Sequence, residues 1–295
     1  MTHDDRLAWV LALPALAVIA LIALFPIVWT IWESLHLHDL RMPWRGHPFV
    51  GLANYAEAAT SVRFWRAMAH TVLFTAATVV LEIAAGLLLA LVMDRLSRGR
   101  DVVRTAILLP WAVPTVVVAL VWRFLFESPS GPVDDSLVLL GVSSPITWFA
   151  DATAAWVPLV LADVWKTTPF VALLLFAGLQ TIDPSLYEAA RIDGASPARQ
   201  LTDITLPLLR PALVVAFIFR ALDAFRVFDL IYVMTGGGPG TATEPIALLT
   251  FNALLQNLRF GFGAALSVIV FAVSFVFALA CIRIVGRDAL AERVP

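Results

Sequence analysis

The chain has 295 residues, of which 60% are hydrophobic and 14% charged, and its mean hydropathy is +0.87. This composition lies outside that of soluble domains and predicts a membrane protein. A formal net charge of -2, with Lys166 as the one lysine, gives no indication of a nucleic-acid partner. The single cysteine, Cys281, cannot form an internal disulfide, and we interpret it as a buried apolar side chain.

Six apolar runs are long enough to cross a bilayer, which requires about 20 mostly apolar residues. They are 7–32, 71–93, 103–126, 154–180, 211–235 and 261–282. The first run is too long for the apolar part of a signal peptide, so we interpret it as an uncleaved anchor. The sequence therefore predicts an all-α membrane protein with six transmembrane helices.

Arginines indicate how these spans are oriented. Eleven arginines lie in the segments that share a side with the N-terminus, and five lie in the segments on the other side. Because positive residues are enriched in cytoplasmic loops, both termini are predicted to be cytoplasmic. The segment 183–210 between the fourth and fifth spans then also lies on the cytoplasmic face.

That segment is the most polar part of the chain, and residues that begin or end helices follow one another closely in it. Asp183-Pro184 and Ser196-Pro197 each combine a capping residue with proline at the first helical position. Gly194 is placed to end the first helix in a left-handed conformation. We therefore expect helix, glycine turn, helix. The balance of acidic and basic side chains favours docking to a protein over the alternative of a helix lying among lipid headgroups.

The fifth run carries ionisable side chains, which are costly in a bilayer and often functional. Arg220, Asp223, Arg226 and Asp229 recur every three residues with alternating charge. On one helix such neighbours can pair. We call these four residues the Asp/Arg ladder, and two interpretations of it remain open. The ladder lines the path of a polar solute, or it holds this helix to its neighbours, with Asp163 or Lys166 of the fourth span as partners.

Further polar and aromatic side chains fit the path of a sugar, which is bound through hydroxyl hydrogen bonds and flat apolar faces. Glu82, in the second span, is interpreted instead as a buried partner of another helix. Pro169 could break the fourth span beside Trp165 and Lys166 and so free backbone groups for a cavity. The predicted path residues are Trp165, Lys166, Arg220, Asp223, Phe225, Arg226, Phe228, Asp229, Tyr232 and Asn252, with Gln256 and Asn257 as weaker candidates that ordinary loop polarity also explains.

Catalytic and metal-binding patterns are weak. His36, His38 and Asp39 resemble a metal cluster only loosely, because a third ligand in suitable geometry is not evident, and we expect no metal. No nucleophile and base pair supports an intramembrane enzyme. The lone lysine follows Trp165, not the glycine that a phosphate-binding loop requires, so we expect no ATPase site in this chain.

The pieces EAARIDGA and ITLP, within 188–207, resemble the EAA signature of the membrane subunits of ABC importers. The stretches FVGLANY (49–55), VWKTTPF (164–170) and FRALDAFRVFDLIYVMTGGGP (219–239) resemble the sugar permeases of that family, and the trehalose and maltose type in particular. The resemblance implies a type I importer permease (MetI-like) core of five helices at 71–285. It also implies an additional N-terminal helix and loop at 1–70 and a cytoplasmic tail at 286–295. The ATPase-coupling residues that it implies are Tyr187, Glu188, Ala189, Ala190, Asp193, Gly194, Ala195, Leu206 and Pro207.

The same resemblance implies the partners and the location. It predicts a second related permease, two copies of an ATPase that uses ATP and Mg²⁺, an extracytoplasmic solute-binding protein or lipoprotein, and a neutral sugar. The chain itself is expected to bind no cofactor and to lie in a bacterial or archaeal cytoplasmic membrane. Alternatives are an importer for glycerol phosphate or other oligosaccharides, and an ion-coupled secondary transporter that uses the Asp/Arg ladder as a relay.

Overall fold

The computed structural model describes residues 12–14, 16–96, 100–129, 131–141 and 146–291. These residues form helices joined by turns, and no β-strand occurs among them beyond two isolated bridges. The predicted first span before residue 12, the end of the predicted tail at 292–295 and the side chain of Cys281 lie outside the described part. The prediction of an all-α protein is confirmed.

The helices are numbered here in chain order. They are α1 (Ala12–Ser34), α2 (Ala53–Thr60), α3 (Val62–Arg95), α4 (Arg100–Ala112), α5 (Thr115–Leu125), α6 (Pro132–Leu139), α7 (Trp156–Leu179), α8 (Pro184–Ile192), α9 (Pro197–Ala224), α10 (Asp229–Met234), α11 (Ile246–Gln256) and α12 (Phe260–Ala291).

Five of these helices, α1, α3, α7, α9 and α12, are long and apolar enough to cross a membrane. The predicted third span is instead divided into α4 and α5, whose axes meet at 94°. Pro114 lies at the bend with an extended ψ of 137°, and proline has no N–H to continue the hydrogen bonds of α4. The described residues therefore contain five spans, or six if the bent pair crosses as one.

The predicted fifth span was wrong at its C-terminal end. It was expected to run to residue 235, but α9 ends at Ala224 and α10 begins only at Asp229. Between them the N–H of Arg226 donates to the Asp223 carbonyl and that of Val227 to the Ala224 carbonyl, both at 3.1 Å. These are bonds to the third preceding residue, which tighten the helix before it stops.

The described chain divides into two compact units, of which the first comprises residues up to Arg66 together with Ile246–Val273. Within it, the chain after α1 returns on itself, with a hydrogen bond from the Leu37 N–H to the Pro48 carbonyl at 2.9 Å. The Asn54 amide closes the same turn by donating to the carbonyls of Ser34 and His36 at 2.8 and 2.9 Å. Side chain and backbone bonds thus hold the loop 35–50 against the end of α1.

The second unit comprises Ala67–Pro245 and the residues from Ser274 onward, and α7 is its central helix. Half of the most apolar stretch of α7 is buried. Gly86 of α3 and Gly178 of α7 permit close helix contacts, since an added Cβ would lie 2.6 Å from Val171 and 2.7 Å from Ala212 respectively. Pro169, which the sequence marks as a place where the helix could break, does not break it, because α7 continues through this residue.

Candidate functional site

A cavity of about 600 Å³ lies in the second unit, beside α7 and the break between α9 and α10. Its volume is within the ~300–1,000 Å³ range of small-molecule sites. Its lining combines charged and aromatic side chains with a few aliphatic ones: Trp111, Thr115, Asp163, Lys166, Thr167, Phe170, Phe219, Arg220, Leu222, Asp223, Ala224, Arg226, Val227, Phe228, Asp229 and Leu230.

A buried ion cluster forms one side of this cavity. The Arg220 guanidinium donates from Nε to Glu82 Oε2 at 2.5 Å and from Nη2 to Glu82 Oε1 at 2.8 Å. It also contacts Asp163 Oδ2 at 3.3 Å and Asp223 Oδ2 at 2.5 Å. The Thr167 hydroxyl lies 2.6 Å from Glu82 Oε1. The planar guanidinium therefore joins α3, α7 and α9 by charge-assisted bonds.

Burial makes this cluster costly to break. Glu82 has no exposed surface and Arg220 is 3% exposed, so a missing partner of either group is poorly compensated by water. The interpretation of Glu82 as a buried partner of another helix is confirmed by these contacts. The interpretation of the charged run as a tie between helices is likewise confirmed for Arg220, whose partners lie on α3 and α7.

Aromatic side chains form another part of the lining. The rings of Trp111 and Phe170 are stacked, with centroids 5.9 Å apart and planes inclined by 20°. Phe219 meets Phe170 edge to face at 6.3 Å. Such faces provide flat apolar surface beside the polar groups of the ion cluster.

Two of the lining cations have no carboxylate partner among the described residues. Lys166 Nζ lies 3.4 Å from the Trp111 carbonyl, and Arg226 Nε donates to the Leu222 carbonyl at 3.2 Å. Arg226 therefore pairs with neither neighbouring aspartate, and the expected four-residue ladder is wrong beyond the Arg220–Asp223 pair. The cause is the end of α9, which removes the helical spacing on which the ladder depends.

The cavity brings together six of the predicted path residues: Lys166, Arg220, Asp223, Arg226, Phe228 and Asp229. Trp165, Phe225 and Tyr232 are not part of its lining. Trp165 is 47% exposed beside Trp122, and Tyr232 stacks on Phe228 with centroids 5.3 Å apart. Asn252 lies at the α-to-π transition within α11, in the first unit, and is also absent from the lining.

Sequence reasoning missed several residues of the cavity lining, most of them on α7. Asp163 and Thr167 were not predicted as site residues, nor were the aromatic rings of Trp111, Phe170 and Phe219. A signal was present, because residues 163, 166, 167 and 170 follow the spacing of one helix face.

The segment 183–207 has the predicted capped form. The Asp183 carboxylate accepts from the Ser185 N–H at 2.9 Å, and that backbone bond lowers the pKa of Asp183. The Ser196 hydroxyl accepts from the Arg199 N–H at 3.4 Å. Both predicted N-caps are confirmed, and α8 and α9 begin at the prolines that follow them.

Gly194 ends α8 as predicted, with φ of +78°. The Ala195 N–H donates to the Ala190 carbonyl at 2.8 Å and the Gly194 N–H to the Arg191 carbonyl at 3.1 Å. This pair of bonds is the Schellman arrangement, which requires a left-handed residue at the glycine position. The turn between α8 and α9 is therefore set by backbone conformation.

Inner contacts hold this segment, and its outer face is open. The Tyr187 hydroxyl lies 3.0 Å from the Thr205 hydroxyl, and the Tyr187 ring packs on the core of the second unit. Ile192 is 87% exposed and Leu186 is 44% exposed, while Glu188, Ala189, Asp193, Gly194 and Pro207 also face outward. Ala190, Ala195 and Leu206 are half-buried.

The trio of His36, His38 and Asp39, which in the sequence resembles a metal cluster only loosely, is not assembled as a ligand set. Asp39 accepts two side-chain hydrogen bonds from Arg41, at 2.9 and 2.7 Å, and these lower its pKa to about 2. His36 Nδ1 lies 2.7 Å from the Trp32 carbonyl. Each of these groups is thus engaged elsewhere.

Comparison with known proteins extends over nearly the whole chain. Residues 82–288 match the family described as binding-protein-dependent transport system inner membrane component. The chain is 44% identical to the trehalose/maltose transport system permease protein MalF of Thermococcus litoralis, over 97% of this chain and 95% of that protein. It is 39% identical to the sulfoquinovosyl glycerol transport system permease protein SmoG of Agrobacterium fabrum, over 96% and 91%.

The fold is also that of a solved transporter subunit. In the crystal structure of a bacterial ABC transporter involved in the import of the acidic polysaccharide alginate, one chain matches with a TM-score of 0.82 at 23% identity, covering 96% of both chains. The helices, the family match and the relatives agree with the resemblance carried by the EAA signature. The chain is a multi-pass membrane protein of the type I ABC importer permease fold, and it belongs to the family of inner membrane components of binding-protein-dependent transport systems.

Proposed function

We propose that the chain is a permease subunit of an ATP-driven importer whose substrate is a neutral disaccharide of the trehalose or maltose type. The observation that carries this proposal is the cavity of about 600 Å³, in which aromatic rings adjoin fixed charged groups. A sugar can direct its hydroxyls to the charged groups and place its apolar ring face on the aromatic rings. The relative MalF, named for trehalose and maltose, supports the same substrate class.

The charge of the lining supports a substrate without net charge. The lining contains as many carboxylates as cations: Asp163, Asp223 and Asp229, and Lys166, Arg220 and Arg226. Because these charges already balance one another, an uncharged solute can enter or leave without a change in the net charge of the cavity. In this reading the Arg220 cluster is both a structural tie and one wall of the path.

Two variants on the same helix test the role of the cavity. Phe170→Leu removes a lining ring, whereas Trp165→Leu removes a ring of α7 that is half-exposed and outside the lining. In proteoliposomes that contain the chain with its partners, the first should raise the KM for uptake of labelled trehalose or maltose by about 5- to 10-fold, as the loss of one aromatic contact predicts. The second should leave KM within about 2-fold. Equal effects of the two variants would count against this cavity as the path.

A second candidate substrate is an anionic sugar derivative, such as a sulfonated glycoside. The specific observation in its favour is that Lys166 and Arg226 line the cavity without carboxylate partners. The relative SmoG is named for sulfoquinovosyl glycerol. Competition by a sulfonated glycoside against labelled disaccharide, repeated with Lys166→Gln and Arg226→Gln, separates the candidates. Preference for the anion, lost by 10-fold or more in these variants, would replace the neutral sugar.

We further propose that α8 and the start of α9, residues 183–210, form the coupling segment for a partner ATPase on the cytoplasmic face. The segment offers an exposed apolar side chain, Ile192, beside exposed charged groups such as Glu188. α9 continues from Pro197 to Arg220, a distance of about 35 Å at 1.5 Å per residue, so one helix connects the coupling segment to the cavity. Displacement of the segment would thereby alternate access to the cavity.

The complete importer would contain a second permease, an ATPase dimer that uses ATP and Mg²⁺, and an extracytoplasmic solute-binding protein, with both termini of this chain cytoplasmic. The chain itself would have no ATPase site. Uptake by this chain without any ATPase would instead indicate the ion-coupled alternative.

Gly194 provides a sharp test of coupling, because the space around it is open and only its backbone conformation is demanding. Gly194→Val places a β-branched residue at φ of +78°, which is strained, whereas Gly194→Asn retains a residue that tolerates this region. We expect Gly194→Val to reduce co-purification of the ATPase and Gly194→Asn to preserve it. Glu188→Arg, which changes only the exposed surface, should also reduce it. Full ATPase association in both Gly194→Val and Glu188→Arg would refute the docking role.

A further inference from the structure

The loop that follows α1 gathers three metal-ligating side chains in the first unit. Glu33, His38 and His47 offer one ligand atom each, and these atoms lie within 4.8 Å of one another. Glu33 Oε1 contacts His38 Nδ1 and lies 3.3 Å from His47 Nε2. The loop pairing from the Leu37 N–H to the Pro48 carbonyl brings the two histidines together although they are separated along the chain.

The Glu33 carboxylate needs a positive partner at this position. Its side chain is 10% exposed, and among the described residues the two imidazoles are its only charged or chargeable contacts. Arg41 and Arg259 of this unit pair instead with Asp39 and, for Arg259, with Glu57. A buried carboxylate is stable only when a cation or a set of hydrogen bonds compensates it.

The two histidines are held in place yet open to solvent. The His47 ring packs against the rings of Trp32, at 5.1 Å, and His36, at 4.8 Å, and it meets His38 edge to face at 4.6 Å. The side chains of His38 and His47 remain 34% and 33% exposed. Ring packing thus restrains the ligands, and an ion could reach them from the solvent.

From this arrangement we propose that Glu33, His38 and His47 form a Zn²⁺ site. Two imidazoles with one carboxylate and an open fourth position are a ligand set that Zn²⁺ takes. Zinc bonds of 2.0–2.2 Å place tetrahedral ligand atoms about 3.3–3.6 Å apart, and the separation of Glu33 Oε1 and His47 Nε2, 3.3 Å, lies at the short end of this range. The proposal departs from the sequence-based expectation of no metal, which considered His36, His38 and Asp39 and not Glu33 or His47.

A bound ion would fasten the loop to the end of α1. Glu33 belongs to the last turn of α1, whereas His38 and His47 lie on the two paired stretches of the loop. One ion would therefore join three points that hydrogen bonds now connect. It would also neutralise the buried carboxylate, which makes the site a structural clamp whose role does not depend on the proposed substrate.

The full-length chain, purified with a tag that contains no histidine and cleared of metal by chelation, tests the site. Zn²⁺ affinity is measured by competition with a chromophoric chelator, and Co²⁺ replaces Zn²⁺ to give the strong visible absorption of a tetrahedral site. We expect one tight Zn²⁺ per chain. His38→Gln and His47→Gln should each weaken it by at least about 100-fold, since even groups behind the ligands contribute 10- to 100-fold.

His36→Gln is the matched control, because His36 stacks on His47 but directs Nδ1 to the Trp32 carbonyl. It should change the affinity by no more than about 3-fold. Glu33→Gln keeps the shape of the side chain and should weaken Zn²⁺ binding as much as the histidine variants do. It replaces the histidine variants as the test if these fold poorly. Absence of tight Zn²⁺ binding by the wild-type chain overturns the proposal, as does equal Zn²⁺ affinity in the wild type and in folded Glu33→Gln or His47→Gln.

Discussion

Arg220 and Arg226 lie six residues apart and offer a matched test of how the buried ion cluster stabilises the protein. Arg220 is 3% exposed and contacts the carboxylates of Glu82, Asp163 and Asp223, whereas Arg226 is exposed and has no ion pair among the described residues. Arg220→Gln leaves buried carboxylates without their cation, which costs about 3–5 kcal/mol. Arg226→Gln should stay within about 0.5 kcal/mol of the wild type.

The free energy of unfolding can be measured by titration with SDS in mixed micelles, followed through the tryptophan fluorescence of the chain. A cycle with Glu82→Gln, Arg220→Gln and the double variant isolates the pair, and its coupling energy should reach about 1.5–3 kcal/mol. Two results would refute the reasoning: a cost below about 1 kcal/mol for Arg220→Gln, or a comparable cost for Arg226→Gln. The first would mean that helix packing holds α3, α7 and α9 together without help from the cluster, and the second that the cost does not arise from the burial and ion pairs of Arg220.

Two further predictions concern other parts of the fold. Asp39, whose pKa is lowered to about 2 by Arg41 and secondarily by Arg259, contributes stability that is present above pH about 4 and is lost as pH falls toward 2. Asp39→Asn should therefore lower the free energy of unfolding by about 1–2 kcal/mol, less than the full pKa shift because Arg41 is half-exposed, and equally at pH 5.5 and pH 8. Gly86→Ala should cost about 1–3 kcal/mol in the same assay, because the added Cβ would lie 2.6 Å from Val171.

The controls for these two differ. Ala84→Ser changes an exposed position of α3 near Gly86 and should have almost no effect. If Gly86→Ala is equally neutral, α3 and α7 do not depend on close approach at this position. An effect of Asp39→Asn that grows between pH 5.5 and pH 8 would contradict the assigned titration, since Asp39 is fully ionised over that range.

Local chemistry made some features predictable. Apolar length predicted the membrane spans, because the bilayer sets a minimum number of apolar residues. The two caps, the prolines after them and the left-handed Gly194 were predictable since each depends on residues within a few positions along the chain. The family resemblance rested on this segment and on three further short stretches, at 49–55, 164–170 and 219–239.

Other features depend on contacts between residues that are distant in sequence. Arg220 is 138 residues from Glu82, and no pattern near either residue predicts which carboxylate it meets. The end of α9 at Ala224 was not foreseen, so Arg226 and Asp229 were assigned to a ladder that does not form. Apolar periodicity continues across that break and therefore conceals it.

The histidine cluster illustrates the same distinction. Short spacing drew attention to His36, His38 and Asp39, whereas the folded loop brings Glu33 and His47 to His38. Spacing along the chain determines caps, turns and the lengths of spans, because these are satisfied by neighbouring backbone groups. The partners of buried charges and ligating side chains are determined by packing between segments, because desolvated groups must be compensated by whichever side chains the fold brings within reach.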